Sequence, residues 1–316
     1  MKKAKIFGII AAVLVIGAVV GTVLMGKYVA DRILNQNEGK DTKSNSIKQL
    51  DAWGYDIDNF MNEHEGYDIS VEAKDGNKVP ATVFENNSDK WVILVHGAGG
   101  DRVSTYPLAE QYLDRDYSVI ALDQRGSGDN PDQWVTFGIN EKMDVAAMVE
   151  YAKTDLNASE VIVHGQSMGA QTTALYASSV KAGAVDAADA VICDSPVPGM
   201  ELQLRLVFGD GFEGAHSFST NFFIATSGKY MDKVYDIDMD DGDTIKMVAT
   251  DEIPTMIIVS EKDEVCLPEL VEQVYDNIGT DKKEIVYVNS AHIEGIIDDP
   301  DGYMESVEGF LNTYGL

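Results

Sequence analysis

Apolar positions along this chain follow three successive patterns. The first is an unbroken run. No residue from Ile6 to Gly26 is charged, and Lys2, Lys3 and Lys5 precede the run. A helix of that length covers about 30 Å at 1.5 Å per residue, the thickness of a bilayer core. The second is polar: residues 35–49, NQNEGKDTKSNSIKQ, hold no large apolar residue before Ile47. That interval reads as a tether or a frayed helix end. The third begins near residue 67 and alternates short apolar runs with segments of helical period.

In that third region YDISVEA and KVPATVFE flank Asp75-Gly76, a dipeptide suited to a hairpin turn. The runs WVILVH, YSVIALD, EVIVHG, DAVICD, TMIIVS and EIVYVN are apolar without alternation. This is the signature of strands buried on both faces. Helices are predicted between them at TYPLAEQYLDRD, NEKMDVAAMVEYAKTD and MGAQTTALYASS, with GYMESVEGFLNTYG closing the chain. The second carries Met143, Val145, Ala146, Met148, Val149 and Ala152 on one broad face. The pattern predicts an α/β fold: a mostly parallel sheet of about eight strands, helices on both faces and an antiparallel hairpin at one edge. Ligands of such sheets collect beyond the carboxyl ends of the strands, so the polar residues there carry the functional information.

EVIVHG runs directly into Gly165-Gln166-Ser167-Met168-Gly169 and then into a helix. In this G-x-S-x-G pattern the chain reverses within a few residues. Side chains at Gly165 and Gly169 would crowd the neighbouring strand and helix, and the turn holds the serine out above the sheet. A serine hydroxyl needs a base to become a nucleophile. Of the five histidines, His292 follows the last strand, where a loop can return it to the sheet's carboxyl edge. His96 and His164 read as groups holding backbone near the site, and His64 and His216 lie outside the core pattern. The imidazole in turn needs an acid to fix its tautomer. Asp263, just past TMIIVS, is the first candidate, and Asp194, which ends DAVICD, is the alternative. An oxyanion could be held by the backbone N–H groups of Met168 and of Ala98, the latter in the loop His96-Gly97-Ala98-Gly99-Gly100.

Composition changes this picture in two respects. Fifty-three acidic residues against 24 basic ones give a formal charge of -29 over 316 residues. Such a surface repels phosphate backbones and excludes nucleic acid as a partner. Two cysteines, Cys193 and Cys266, do not make a disulfide scaffold, and no cysteine–histidine cluster suggests a metal. No metal or organic cofactor is expected. The acidic stretch DIDMDDGD lacks the twelve-residue calcium pattern ending in glutamate and reads as a solvated loop.

The five stretches VILVHGAGG, VIALDQRGSGDN, VIVHGQSMGAQT, PTMIIVSEKDEVCLP and VNSAHIEG together resemble the α/β-hydrolase superfamily, from about Tyr67 to Leu316. Within it, the chain resembles bacterial serine hydrolases with an N-terminal membrane segment. The resemblance implies the serine–acid–histidine order Ser167, Asp263, His292, with Asp123 and Arg125 of LDQRGSG structural. Dehalogenases and epoxide hydrolases of this superfamily carry aspartate at the position of Ser167. Haloperoxidase-like members keep the same triad. The resemblance also implies a lid inserted at about residues 195–252, where Leu202, Leu204, Leu206, Val207, Phe208, Phe222 and Phe223 either line a pocket or pack the lid onto the domain.

The resulting division is an anchor over 1–30, a tether over 31–50 and a catalytic domain over 51–316. The lysines before the apolar run favour an N-terminus inside the cell and a catalytic domain outside; the alternative is secretion after cleavage near Ala30. The expected activity is hydrolysis of small or lipid-like carboxylic esters. A peptidase, amidase or thioesterase with the same triad is the second reading, and a surface protein that uses the scaffold for binding is the third. Oligomeric state is not readable.

Overall fold

The computed structural model describes residues 2–211 and 213–316, with side chains from Val13 onward. The side chains of Lys2, Lys3 and Lys5 lie outside the described set.

Eight strands form one sheet: β1 (Gly66–Glu72), β2 (Lys78–Phe84), β3 (Lys90–Val95), β4 (Ser118–Leu122), β5 (Glu160–Gln166), β6 (Ala190–Asp194), β7 (Thr255–Ser260) and β8 (Lys283–Val288). Their spatial order is β1-β2-β4-β3-β5-β6-β7-β8. The β1–β2 hairpin and the β2–β4 pair are antiparallel, and every later pair is parallel. Parallel strands need crossovers, and the chain supplies α4 (Tyr106–Leu113), α5 (Glu141–Thr154), α6 (Met168–Ala177) and α10 (Pro268–Asn277), with α12 (Pro300–Tyr314) closing the chain after β8. Shorter helices α3 (Ile57–Glu63), α9 (Thr244–Met247) and α11 (Gly295–Asp298) fill the connections. Every residue of β4, β5, β6 and β7 is buried, which is why those runs are apolar without alternation. The expected fold class is the one found.

The N-terminal region departs from the expected division. Helix α1 (Lys2–Leu34) runs unbroken past residue 30. From Val13 it has the length and mean hydropathy, 2.0, of a membrane span. Its last turns belong to the globular core: Ala30 and Leu34 are fully buried, and Val29 and Ile33 nearly so. They pack with Leu204, Ile224 and Met231. Leu34 O also accepts from Val135 N at 2.8 Å.

The interval expected to be a tether forms α2 (Thr42–Trp53). Asp41 caps its first turn, accepting from Ser44 N, and Gly54 ends it at φ +74°. The buried face is Thr42, Ser46 and Leu50. Two of these three are polar and bury their hydroxyls in hydrogen bonds, so composition alone suggested solvent.

The segment between β6 and β7 holds α7 (Met200–Gly209), α8 (Phe218–Tyr230) and a π-helical turn, Met231–Tyr235. Helix α8 lies along α1, close enough that a Cβ on Gly26 would meet Thr226 O at 2.5 Å. The lid region therefore packs on the N-terminal helix and the domain.

Candidate active site

The site begins with the backbone at Ser167. This residue joins β5 to α6 at φ +58° and ψ −119°, a region costly for a residue with a Cβ. The turn is tight enough that a Cβ on Gly165 would lie 2.2 Å from Gly169 O, and one on Gly169 would lie 2.1 Å from Val95 O. Ser167 N donates to Asp194 O at 2.8 Å, which fixes the turn to the end of β6.

The structure brings Ser167, His292 and Asp263 together. His292 Nε2 lies 2.8 Å from Ser167 Oγ, and its Nδ1 lies 2.6 Å from Asp263 Oδ2. Asp263 sits in the turn after β7, and its other oxygen accepts from Val265 N and Cys266 N, each at 2.8 Å. A carboxylate in that position accepts the Nδ1 proton, so the bare lone pair of Nε2 faces the serine hydroxyl. The Asp263 side chain is wholly buried, whereas His292 is 18% exposed, open on the side a substrate would approach.

Asp194 is placed differently. Fully buried, it accepts from Tyr303 Oη at 3.0 Å, Ser195 Oγ at 3.1 Å and Gln166 Nε2 at 3.3 Å. None of these partners is His292. Burial raises its carboxyl above the ordinary range. It stabilises the underside of the turn that carries Ser167.

Ala98 lies in the turn after His96 and lines the same cavity as Ser167 and His292. Met168 opens α6, and the first N–H groups of a helix lack intrahelical acceptors and carry the positive end of its dipole. Gly97 lies against the serine: a Cβ there would come within 3.2 Å of Ser167 Cβ. His96 is fully buried. Its Nε2 accepts from Gln124 N at 3.0 Å, which leaves Nδ1 to donate to Gly97 O at 2.7 Å. That ring ties the Gly97–Gly100 loop to the end of β4.

Arg125 makes a bidentate pair with Asp144, at 3.0 and 2.7 Å, and reaches Asp75 at 2.8 Å. Asp123 holds Arg102 and accepts from Asp129 N at 2.9 Å. Both stabilise the loop after β4. Cys193 and Cys266 are free and buried. Among the described residues no three His, Cys, Asp or Glu side chains are grouped to hold a metal ion.

Two features have no counterpart in the sequence reading. The first is a buried line of side chains beneath the serine turn. Tyr112 Oη donates to His164 Nδ1 at 3.0 Å, and His164 Nε2 donates to Tyr303 Oη at 3.0 Å. Tyr303 in turn donates to Asp194. His164 thus bonds side chains rather than backbone, and burial pushes its pKa down to about 3. The tyrosines lie on α4 and α12, far apart in sequence, and carry no motif. The second is α2. Gln49 and Trp53 line the cavity of about 200 Å³ that opens on Ser167. Asp41 and Gly54 were the available signals for this helix. A larger groove, about 740 Å³ between β1 and α5, has no serine–histidine pair among its lining residues. None of the apolar residues singled out in the lid lines the Ser167 cavity. Leu204 packs in the core beside α1, and Val207 and Phe208 face outward.

A family model described as the alpha/beta hydrolase fold matches residues 90–225. YqkD of Bacillus subtilis (strain 168), described as uncharacterized, is 24% identical over 280 residues, covering 87% of this chain and 88% of its own. YfhR of Escherichia coli (strain K12), also described as uncharacterized, is 23% identical over 250 residues, covering 77% and 79%. Among solved structures, the esterase Pf2001 of Pyrococcus furiosus superposes with a TM-score of 0.64 at 21% identity, covering 82% of this chain and 96% of that one.

Proposed function

We propose that this chain, whose residues 90–225 match the alpha/beta hydrolase fold, is a membrane-anchored serine hydrolase of that superfamily cleaving carboxylic esters. One observation carries this reading: Ser167 Oγ lies 2.8 Å from His292 Nε2, with Asp263 on the opposite ring nitrogen. In the first half-reaction Ser167 Oγ attacks the carbonyl carbon as Nε2 takes its proton. Asp263 stabilises the imidazolium. The N–H groups of Met168 and Ala98 hold the oxyanion. Nε2–H then protonates the departing alkoxide, leaving an acyl-serine. Water repeats the sequence, giving its proton to Nε2 and its oxygen to the acyl carbon, and the acid leaves as Ser167 recovers its proton. The name of Pf2001 as an esterase supports the choice of ester.

The anchor reading is supported by α1. Cleavage near Ala30 would cut inside a continuous helix at a fully buried residue, which supports an α1 that stays attached. Three of the five residues preceding the apolar run are lysines, which supports a catalytic domain outside.

A fluorophosphonate probe followed by peptide mass spectrometry tests the assignment. Labelling at Ser167, lost in Ser167→Ala, is the expected result. A label on any other residue overturns it. The same spectra report whether residues 1–34 are retained.

A further inference from the structure

Helix α2 crosses the mouth of the site and is bonded to both loops that build it. On one side Asn45 Nδ2 donates to Gly99 O at 3.2 Å, and Asp101 N donates to Ser46 Oγ at 2.8 Å. These are contacts to the loop that carries Ala98. On the other side Trp53 Nε1 donates to Glu294 Oε1 at 3.1 Å, two residues beyond His292. Between these fixings Gln49 and Trp53 face the cavity that opens on Ser167, opposite Val265 and Ile293. Among the described residues the Gln49 amide has no hydrogen-bond partner.

From this geometry, and resting on the reading of Ser167 as nucleophile, we propose that α2 forms a substrate subsite that restricts the enzyme to compact, short-chain esters. The volume decides the class. A cavity of roughly 150 Å³ encloses benzene, with six carbons. The 200 Å³ beside Ser167 therefore encloses about eight non-hydrogen atoms, an acetyl to butyryl ester with a small alcohol. It falls below the roughly 300–1,000 Å³ typical of sites for larger ligands. Trp53, Val265 and Ile293 give that group an apolar wall. Gln49 offers one donor and one acceptor to the ester or alcohol oxygens. Trp53 sets the length limit, because its indole is held in place by Glu294.

The test uses the full-length protein in detergent with methyl acetate, methyl butyrate, methyl octanoate and methyl laurate, reading kcat/KM for each from acid release. The wild type is expected to favour acetate and butyrate over octanoate by at least about tenfold, the discrimination a filled apolar pocket provides. Trp53→Ala should raise the octanoate-to-acetate ratio by about tenfold. Trp53→Phe, which keeps most of the bulk, should hold the ratio near wild type, and Val265→Ala should open the facing wall and move it in the same direction as Trp53→Ala. The second wall keeps the proposal falsifiable if Trp53→Ala does not fold. A wild type that prefers octanoate or laurate overturns the subsite, as does a ratio that neither wall variant moves. If no ester turns over and fluorophosphonate leaves Ser167 unlabelled, the nucleophile reading itself falls. Turnover and labelling with an unmoved ratio overturn the subsite alone.

Discussion

Substituting Asp263 by asparagine tests the electrostatic logic of the site with almost no change in shape. The carboxylate has two distinct sides. Oδ1 accepts two backbone N–H groups, from Val265 and Cys266, while Oδ2 takes the His292 Nδ1 proton. An asparagine that keeps its oxygen on the two amides must turn its NH2 toward Nδ1. The ring then carries its proton on Nε2, pointing it at Ser167, and the base is lost. In a well-studied protease the same exchange lowers kcat about 10⁴-fold, equal to about 5 kcal/mol at 1.36 kcal/mol per decade. The amide could instead flip and restore the tautomer, but its NH2 would then oppose two backbone donors. Leaving those donors unsatisfied costs about 1–3 kcal/mol each, or roughly 2–6 kcal/mol together. The cheaper route sets the outcome, so kcat/KM for p-nitrophenyl acetate should fall about 30- to 10⁴-fold, with KM little changed. Asp194→Asn, which touches Tyr303, Ser195 and Gln166 rather than His292, should stay within about tenfold of wild type on the same scale. A loss below tenfold for Asp263→Asn, or a larger loss for Asp194→Asn, would refute the assignment of the acid.

Three further outcomes follow from the same structure. Burial holds His164 at about 3, below its ordinary value of 6.5. The unfolded chain therefore takes up a proton below pH 6.5 that the folded chain refuses, and stability falls as pH drops from 6.5 toward 3. Between pH 7 and pH 5 this group should cost up to about 2 kcal/mol; His164→Gln should remove that part of the slope in urea unfolding, and an unaltered slope would count against it. Burial pushes Asp251 the other way, to about 6. Its favourable contribution is present at low pH and lost as pH rises from 3.8 through 6. Ile253 N donates to this carboxyl at 2.9 Å, and the Thr255 hydroxyl, which also reaches Ile253 O, can turn to accept from an amide. Asp251→Asn should therefore stabilise by about 1–3 kcal/mol at pH 7.5 and by little at pH 4; destabilisation at pH 7.5 would contradict this. Removing residues 1–34 strips Val29, Ile33 and Leu34 from the face of α8, a loss of about 5 kcal/mol of burial. Limited proteolysis of the truncated chain should cut first between α7 and the π-helical turn, and unchanged resistance there would show that α1 is not part of the core.

The sheet was legible because its strands are buried on both faces and leave uninterrupted apolar runs. The residues at their carboxyl ends were legible because Gly165 and Gly169 mark the only turn that fits at Ser167. Sequence position put Asp263 ahead of Asp194 without separating them fully, since one lies just past a buried strand and the other ends one; the difference lies in which one faces His292 and which one faces Tyr303. Helix α2 was hidden by chemistry. Thr42 and Ser46 look solvated, yet their hydroxyls bond Gly128 N and Asp101 N across the chain. The line from Tyr112 through His164 to Tyr303 was hidden by distance, because only the assembled sheet brings α4 and α12 to the same buried ring. Leu204, among the apolar residues of α7 and α8, was ambiguous until its partner was known, and that partner is α1.

The continuity of α1 also determines how the enzyme samples its surroundings. A flexible tether of 20 residues would let a domain roam about 25 Å from its point of attachment. Here the same helix that would lie in the bilayer ends inside the core, with Ala30 and Leu34 fully enclosed. No swivel separates the two. Once held in a bilayer as proposed, the mouth above Ser167 keeps one height and one heading relative to the lipid plane. Its substrates must arrive along that heading, and its catch is governed by their diffusion and by the lateral drift of the helix, never by a sweep of the domain itself.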